Sequence, residues 1–288
     1  MALINLRRAE NVAGDFFVDS SCIDCDLCRQ IAPSVFTDIG DQSTVYHQPS
    51  HREEEFAALK ALVTCPTASI GTVEKHSISQ AVAAFPELID EGVYFCGFAS
   101  QSSFGASSYL IRRADGNVLI DSPRFTRPLA RSIERLGGIK LIFLTHRDDV
   151  ADHSRWAEHF NAERMLHRDD ITRSTRQIER PLTGRDEVAI ADDLLVIPTP
   201  GHTPGHAVLL YKNEYLFSGD HVWWSEARKS LVASRSVNWY SWTEQIRSME
   251  RLLDYRFSCV LPGHGRRVRA NPETMREYLS QCIARMSQ

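Results

Sequence analysis

Thr145-His146-Arg147-Asp148-Asp149-Val150-Ala151-Asp152-His153 follows an apolar run, Leu141-Ile142-Phe143-Leu144, that has the length and composition of a buried strand. Two histidines and three aspartates fall within eight residues at the end of that strand. Turn chemistry alone does not call for so many side chains able to bind a metal. Further along, His202, Asp220 and His264 each come just after another apolar run. Ligands that arrive singly at strand ends are how a sheet converges on one metal site. Imidazoles and carboxylates in this mixture suit zinc or iron rather than magnesium.

The surrounding elements support strand-end placement. Val93-Tyr94-Phe95 and Ser108–Arg112 read as strands, and Asp115-Gly116 turns the chain into Asn117–Asp121. Pro128–Leu136 reads as a helix stopped by Gly137-Gly138, and Ser154–Phe160 as a second. Leu194–Pro198 leads into Thr199-Pro200-Gly201-His202-Thr203-Pro204-Gly205-His206. Ala207–Tyr211 and Tyr215–Ser218 form a hairpin that delivers Gly219-Asp220. Ser241-Trp242-Thr243-Glu244 is a capping box opening a helix to Leu253. Phe257–Leu261 ends in Pro262-Gly263-His264-Gly265, and Asn271-Pro272 caps a last helix.

A different chemistry occupies the first quarter of the chain. Phe16-Phe17-Val18 is a short strand, and Cys22-Ile23-Asp24-Cys25-Asp26-Leu27-Cys28 follows it. This C-x2-C-x2-C spacing lets three thiolates wrap one corner of an iron–sulfur cube. Cys65-Pro66 supplies a fourth cysteine at a distance. Ser43–His47 reads as a strand, His51–Val63 as a helix and Ser69–Val73 as a closing strand. A zinc knuckle fits poorly, because zinc sites more often pair two C-x2-C units. Asp24 and Asp26 make the loop acidic, which lowers the cluster potential and suits a basic redox partner.

These residues carry two resemblances. Residues 10–75 resemble a bacterial-type ferredoxin, in which the fourth thiolate of a longer run serves a second cluster. Here that place is Ala32, followed by Pro33. The resemblance therefore implies one [4Fe-4S] cluster held by Cys22, Cys25, Cys28 and Cys65. Residues 92–288 resemble the metallo-β-lactamase fold through Asp121, the run 146–153, Gly201-His202, Gly219-Asp220 and Pro262-Gly263-His264-Gly265. Five motifs in this order are specific where any one alone is not. The implied fold is α+β in two domains: a small ferredoxin-like βαββαβ domain (1–75), a connecting helix and linker (76–91), and an αβ/βα metallo-β-lactamase sandwich (92–288).

By resemblance, His146 and His202 bind a first metal, and Asp152, His153 and His264 a second. Asp220 bridges them, Asp152 and Asp220 carry the catalysis, and Asp121 steadies the site from below. The family pattern His-x-His-x-Asp-His is broken here. Asp148 stands at the second histidine, with two residues inserted before Asp152-His153; Asp149 takes that place instead if the loop bulges. A carboxylate there is harder than imidazole and favours iron or manganese over zinc. Flavodiiron oxygen reductases of the same fold family have a glutamate at this place and hold two irons.

Three functions follow. The first is a metallohydrolase of thioesters, lactones or phosphoesters: a water on one or two zinc or iron ions falls to a pKa of ~7 and attacks as hydroxide. The second is a di-iron oxidoreductase fed through the ferredoxin domain. The third is an electron carrier or scaffold with a degenerate metal site.

Composition bounds the rest. A hydrophobic content of 43% and a charged content of 24% are those of a folded globular protein, with no run near the ~20 residues of a membrane helix. Residues 1–90 hold 6 Lys+Arg against 13 Asp+Glu, a net of −7, whereas the remainder is +3. Partners are thus a small-molecule substrate and a redox protein on the acidic lobe; no basic run points to nucleic acid, and nothing points to a membrane. Seven cysteines, an odd number, and no secretory pattern from Met1 to Arg8 indicate the cytoplasm or an organelle of similar redox poise. Four of the five tryptophans, Trp223, Trp224, Trp239 and Trp242, lie between Asp220 and His264, as core or as a wall of the site.

Overall fold

The computed structural model describes residues 2–288, so Met1 of the N-terminal stretch lies outside it. Two compact units emerge: the described residues up to Lys140 together with Ala151–Asn161, and Leu141–Val150 together with Ala162–Gln288.

The first unit opens with the order strand Phe16–Val18, helix Leu27–Ile31, strands Phe36–Ile39 and Gln42–Val45, helix Arg52–Thr64 and strand Ile70–Thr72. This is the βαββαβ order. Phe16–Val18 pairs antiparallel with Ile70–Thr72, and Phe36–Ile39 with Gln42–Val45. Arg52–Thr64 carries Glu53, Glu54 and Glu55 in its first turn, where the helix dipole favours negative charge. A short helix, Ser79–Ala83, follows. Then comes an antiparallel meander of Glu87–Asp90, Val93–Phe95, Tyr109–Ile111 and Val118–Ile120. Thr126 caps helix Arg127–Arg135 by accepting the Leu129 N–H, a contact whose loss costs about 1 kcal/mol. Gly137 and Gly138, at φ of 108° and 76°, then stop it.

In the second unit, Leu141–Phe143 pairs in parallel with Glu163–His167, which pairs in parallel with Arg180–Leu182. A six-stranded sheet runs in the order Val188–Ala191, Leu194–Pro198, Ala207–Tyr211, Tyr215–Gly219, Cys259–Pro262 and Val268–Arg269. Every residue of Ala207–Tyr211 and Tyr215–Gly219 is buried, which is why both strands read as unbroken apolar runs. Lys212 and Asn213, both near φ of +50°, turn one strand into the other.

Register sets the ends level. Pro198 faces Ala207, and Gly219 faces Pro262 across a parallel pair. The chain therefore leaves the sheet toward His202, Asp220 and His264 at a common edge. Helices Trp242–Leu252 and Pro272–Met286 cover the sheet, packing Met249, Leu252, Met275 and Leu279 onto Ile197, Val208, Leu216 and Val260. The capping box is half made. Ser241 Oγ accepts the Glu244 N–H at 3.2 Å, while the Glu244 carboxylate pairs with Arg185 and Arg247. The Ser241 N–H is already given to the Gly201 carbonyl. No helix among the described residues is long and apolar enough to cross a membrane.

Candidate metal centre and cluster site

In the second unit, His146 and Asp220 are the hub. His146 is fully buried; its Nδ1 meets Thr145 Oγ1 at 2.9 Å, which turns Nε2 toward the site. Nε2 lies 3.8 Å from Asp148 Oδ2 and 3.7 Å from Asp220 Oδ2. His202 Nε2 lies 3.5 and 3.8 Å from the same two oxygens. Neither Nε2 has a hydrogen-bond partner among the described residues. Ligands on an ion with bonds of ~2.0–2.2 Å fall at about such separations, so the residues fit a metal better than a hydrogen-bonded cluster.

Asp220 divides its oxygens. Oδ2 faces His146 and His202, whereas Oδ1 accepts the His264 N–H at 3.1 Å and meets His264 Nδ1 at 2.8 Å. Asp149, only 1% exposed, joins His146 and Asp220 in a second ligand group. Asp148, largely exposed, forms the first with His146 and His202. Both aspartates thus reach the centre, each in a group that includes His146. Gly263 makes room for the second group: a β-carbon there would stand 2.6 Å from Asp149 Oδ2 and 2.8 Å from Asp220 Oδ1.

Protonation suits metal binding. Burial is the main influence on His146, bringing its pKa down to about 4, so it is a neutral ligand at pH 7. Burial alone would raise the Asp220 carboxyl, but the His264, His146 and His202 imidazoles hold it well below its usual range. Asp148 is also lowered, chiefly by the His202 imidazole beside it.

Sequence reasoning missed Asp170. It is buried, and its carboxylate accepts the Arg147 N–H at 3.1 Å, the Thr203 hydroxyl at 2.5 Å and the Gly205 N–H at 2.8 Å. One side chain thereby aligns the His146 loop with the His202 loop. Behind the ligands, His206 Nδ1 meets Thr199 Oγ1 at 2.9 Å and the ring stacks on His221 at 5.1 Å. Burial brings the His221 pKa down to about 3 and holds His206 well below the usual imidazole range, so both rings are neutral. Trp224 and Trp242 pack on the core and Trp223 lies against Gly265, while Trp239 is 61% exposed with its ring 6.5 Å from that of His202.

Asp152 and His153 belong to the first unit, at the head of helix His153–Phe160. Asp152 Oδ2 accepts the Phe125 N–H at 2.7 Å, and His153 is buried. Asp121 is buried at a φ of 53°.

The four cysteines of the first quarter, Cys22, Cys25, Cys28 and Cys65, line one cavity with Val18, Ile23, Leu27 and Ile70. Asp24 and Asp26 adopt left-handed φ of 57° and 64°, which coils the loop inward. Burial, reinforced by Cys65 and Cys22, pushes the Cys25 thiol up to about 12. Four sulfurs gathered in an apolar cavity need a cation among them to ionise, which is what an iron–sulfur cluster provides. Arg29 bonds both Asp26 and Asp24, at 2.6 and 2.7 Å, so the acidity of this loop is partly offset. Cys96 and Cys282 are buried thiols, pushed up by burial to about 12 and 11. Among the described residues no two cysteines form a disulfide.

A family model for the metallo-beta-lactamase superfamily matches residues 103–264, more than half of the chain. The chain belongs to the metallo-beta-lactamase superfamily. A second model, the 4Fe-4S single cluster domain of Ferredoxin I, matches residues 18–72, so this superfamily member carries a single-cluster ferredoxin domain at its N-terminal end. Among curated proteins it is similar to the uncharacterized protein YobT of Bacillus subtilis (strain 168), 28% identical over 217 residues, 62% of this chain and 91% of that one. Among solved structures it resembles the BLEG-1 B3 metallo-beta-lactamase, at 20% identity and a TM-score of 0.50, over 62% of this chain and 93% of that one. VMB-1 matches at 17% and 0.52, over 70% and 97%. The metallo-beta-lactamase family protein TTHA1429 from Thermus thermophilus matches at 20% and 0.50, over 69% and 81%. At these identities the likeness is one of fold: the larger domain is a metallo-β-lactamase sandwich.

Proposed function

We propose that this superfamily member is a metal-dependent hydrolase of thioesters, lactones or phosphoesters. The observation that carries the reading is Asp220, a buried, ionised carboxylate with one oxygen toward His146 and His202 and the other toward His264. Bound there, one or two ions supply Lewis acidity and bring the pKa of a water to ~7. The chain's own residues do the positioning. Thr145 aims the neutral His146, Asp170 aligns the two histidine loops, and Asp148 stands at the open side to complete the ligand set. The cluster, on this reading, serves structure or redox control. Buried thiols and an iron–sulfur cluster suit a reducing, cytoplasm-like compartment.

A second reading is favoured by one observation: three carboxylates, Asp148, Asp149 and Asp220, gather around His146. That donor set is harder than the usual imidazole-rich one and suits iron or manganese. It supports an oxidoreductase with two irons, supplied with electrons through the ferredoxin domain from a redox partner. Metal analysis of anaerobically purified protein, beside a variant lacking the four cluster cysteines, separates the two. Zinc in the second site with hydrolysis of a thioester, lactone or phosphoester panel supports the first reading. Iron that persists without the cysteines, with no hydrolysis, overturns it in favour of the second.

A further inference from the structure

The segment ending at Tyr240 exposes Val237, Trp239 and Tyr240 side by side, with Trp239 at 61% and Tyr240 at 50%. It is nevertheless firmly held. Trp239 N–H donates to the His202 carbonyl at 3.0 Å, and Ser241 N–H to the Gly201 carbonyl at 2.9 Å. Asn238 Nδ2 donates to Gly201 O at 2.8 Å and to Gln245 Oε1 at 2.5 Å. Gln245 is buried, and its Nε2 in turn donates to the His221 carbonyl. An aromatic exposed merely by a loose loop would lack these ties, three of which end on the backbone of the loop that carries His202.

The exposed indole adjoins a candidate metal ligand. The Trp239 and His202 rings stand 6.5 Å apart, centroid to centroid, at a steep angle. A substituent of a ligand held at His202 is therefore within reach of the indole. Trp224 and Trp242 pack against the hydrophobic core, so they do not compete for this role. Exposed indole and phenol faces gain most from flat aromatic or extended apolar groups, through area and quadrupole together. Short acyl groups and bare phosphate gain nothing from them.

We propose that Trp239 forms a specificity subsite for an aryl or extended apolar substituent of the substrate. The inference rests on the hydrolase reading and narrows its substrate class to thioesters or lactones bearing such a group. Two measurements on the metal-loaded full chain test it. The first is calorimetric titration with 1-naphthylacetate and with acetate. Trp239→Ala is expected to lower the preference for naphthylacetate by about tenfold, and Trp239→Phe by no more than about threefold. The second is hydrolysis of N-acetylcysteamine thioesters of the same two acids. There Trp239→Ala is expected to remove the preference through KM rather than kcat. Equal naphthylacetate preference in the wild type and Trp239→Ala overturns the subsite, whether or not any thioester is cleaved. A Trp239-dependent preference without hydrolysis of either thioester upholds the subsite and overturns thioester hydrolysis instead. Trp239 is surface-exposed, so its variants are expected to fold.

Discussion

Nε2 of His146 and Oδ2 of Asp220 stand 3.7 Å apart, too far for a hydrogen bond and near enough to share an ion. Because the other Asp220 oxygen meets His264, one carboxylate serves both sides of the centre. Asp220→Ala is therefore expected to remove metal from the second domain and to abolish any hydrolysis, while the visible absorbance of the cluster is unchanged. Elemental analysis together with a spectrum reads both. Full activity in that variant would remove Asp220 from the mechanism.

Gly263 offers a sharper probe, because no side chain is taken away. A β-carbon there would meet Asp149 Oδ2 at 2.6 Å and Asp220 Oδ1 at 2.8 Å. Gly263 is not among the positive-φ glycines, so alanine is not strained by its own backbone. Gly263→Ala is expected to push the two carboxylates apart and weaken metal affinity by about tenfold or more, comparable to loss of a supporting contact. Its far-ultraviolet circular dichroism should match the wild type. Undiminished affinity would show that Asp149 does not take part in the centre.

Much of this site was legible because strands buried on both faces read as continuous apolar runs, and a ligand directly after such a run has few places to go. Leu194–Pro198, Tyr215–Gly219 and Cys259–Pro262 all obeyed that logic. Asp170 was not legible: its partners lie 23 to 35 residues away, and only the tertiary fold brings them together. Nor does a sequence say which of two adjacent aspartates turns inward; Asp149 is buried and Asp148 is not. The hairpin Trp223–Ser225 with Ser230–Val232 went unread because the charged residues Glu226, Arg228 and Lys229 between its short strands break up any apolar pattern. Arg29, which pairs with both Asp24 and Asp26, lies close by in sequence, yet charge counting alone concealed the pairing.

At the cluster, Gly105 is the revealing position. It sits at a φ of 84°, and a β-carbon there would stand 2.7 Å from Cys25 Cβ and 3.1 Å from both its Sγ and Pro66. Gly105→Ala thus meets backbone strain and a clash with a cluster cysteine at once. The expected result is a cluster that bleaches faster in air, with the second-domain metal content unaltered. Absorbance decay after anaerobic purification measures it, and a decay rate equal to the wild type would show that the loop yields without disturbing Cys25.

His76 makes the stability of the first unit pH-dependent. Its Nε2 meets Asp15 at 2.6 Å and its Nδ1 meets Glu55 at 2.9 Å, tying the segment after strand Ile70–Thr72 to the start of the chain and to helix Arg52–Thr64. Burial lowers the His76 pKa, but the bonds and charges of Asp15 and Glu55 outweigh it, and the net shift is upward. Below the unfolded value of ~6.5 both states carry the proton, and the stabilisation is fully present. As pH rises from there through the folded pKa, the unfolded chain releases its proton first, and the stabilisation is lost. The slope cannot exceed about 1.4 kcal/mol per pH unit for one group, and the partial exposure of Glu55 keeps it lower. His76→Gln keeps a hydrogen-bonding side chain without the charge, so the gap in thermal stability between wild type and variant should be widest near pH 6 and narrow by pH 9. A gap of constant size across that range would mean that His76 acts through packing against Phe16, 5.5 Å away, and not through its proton.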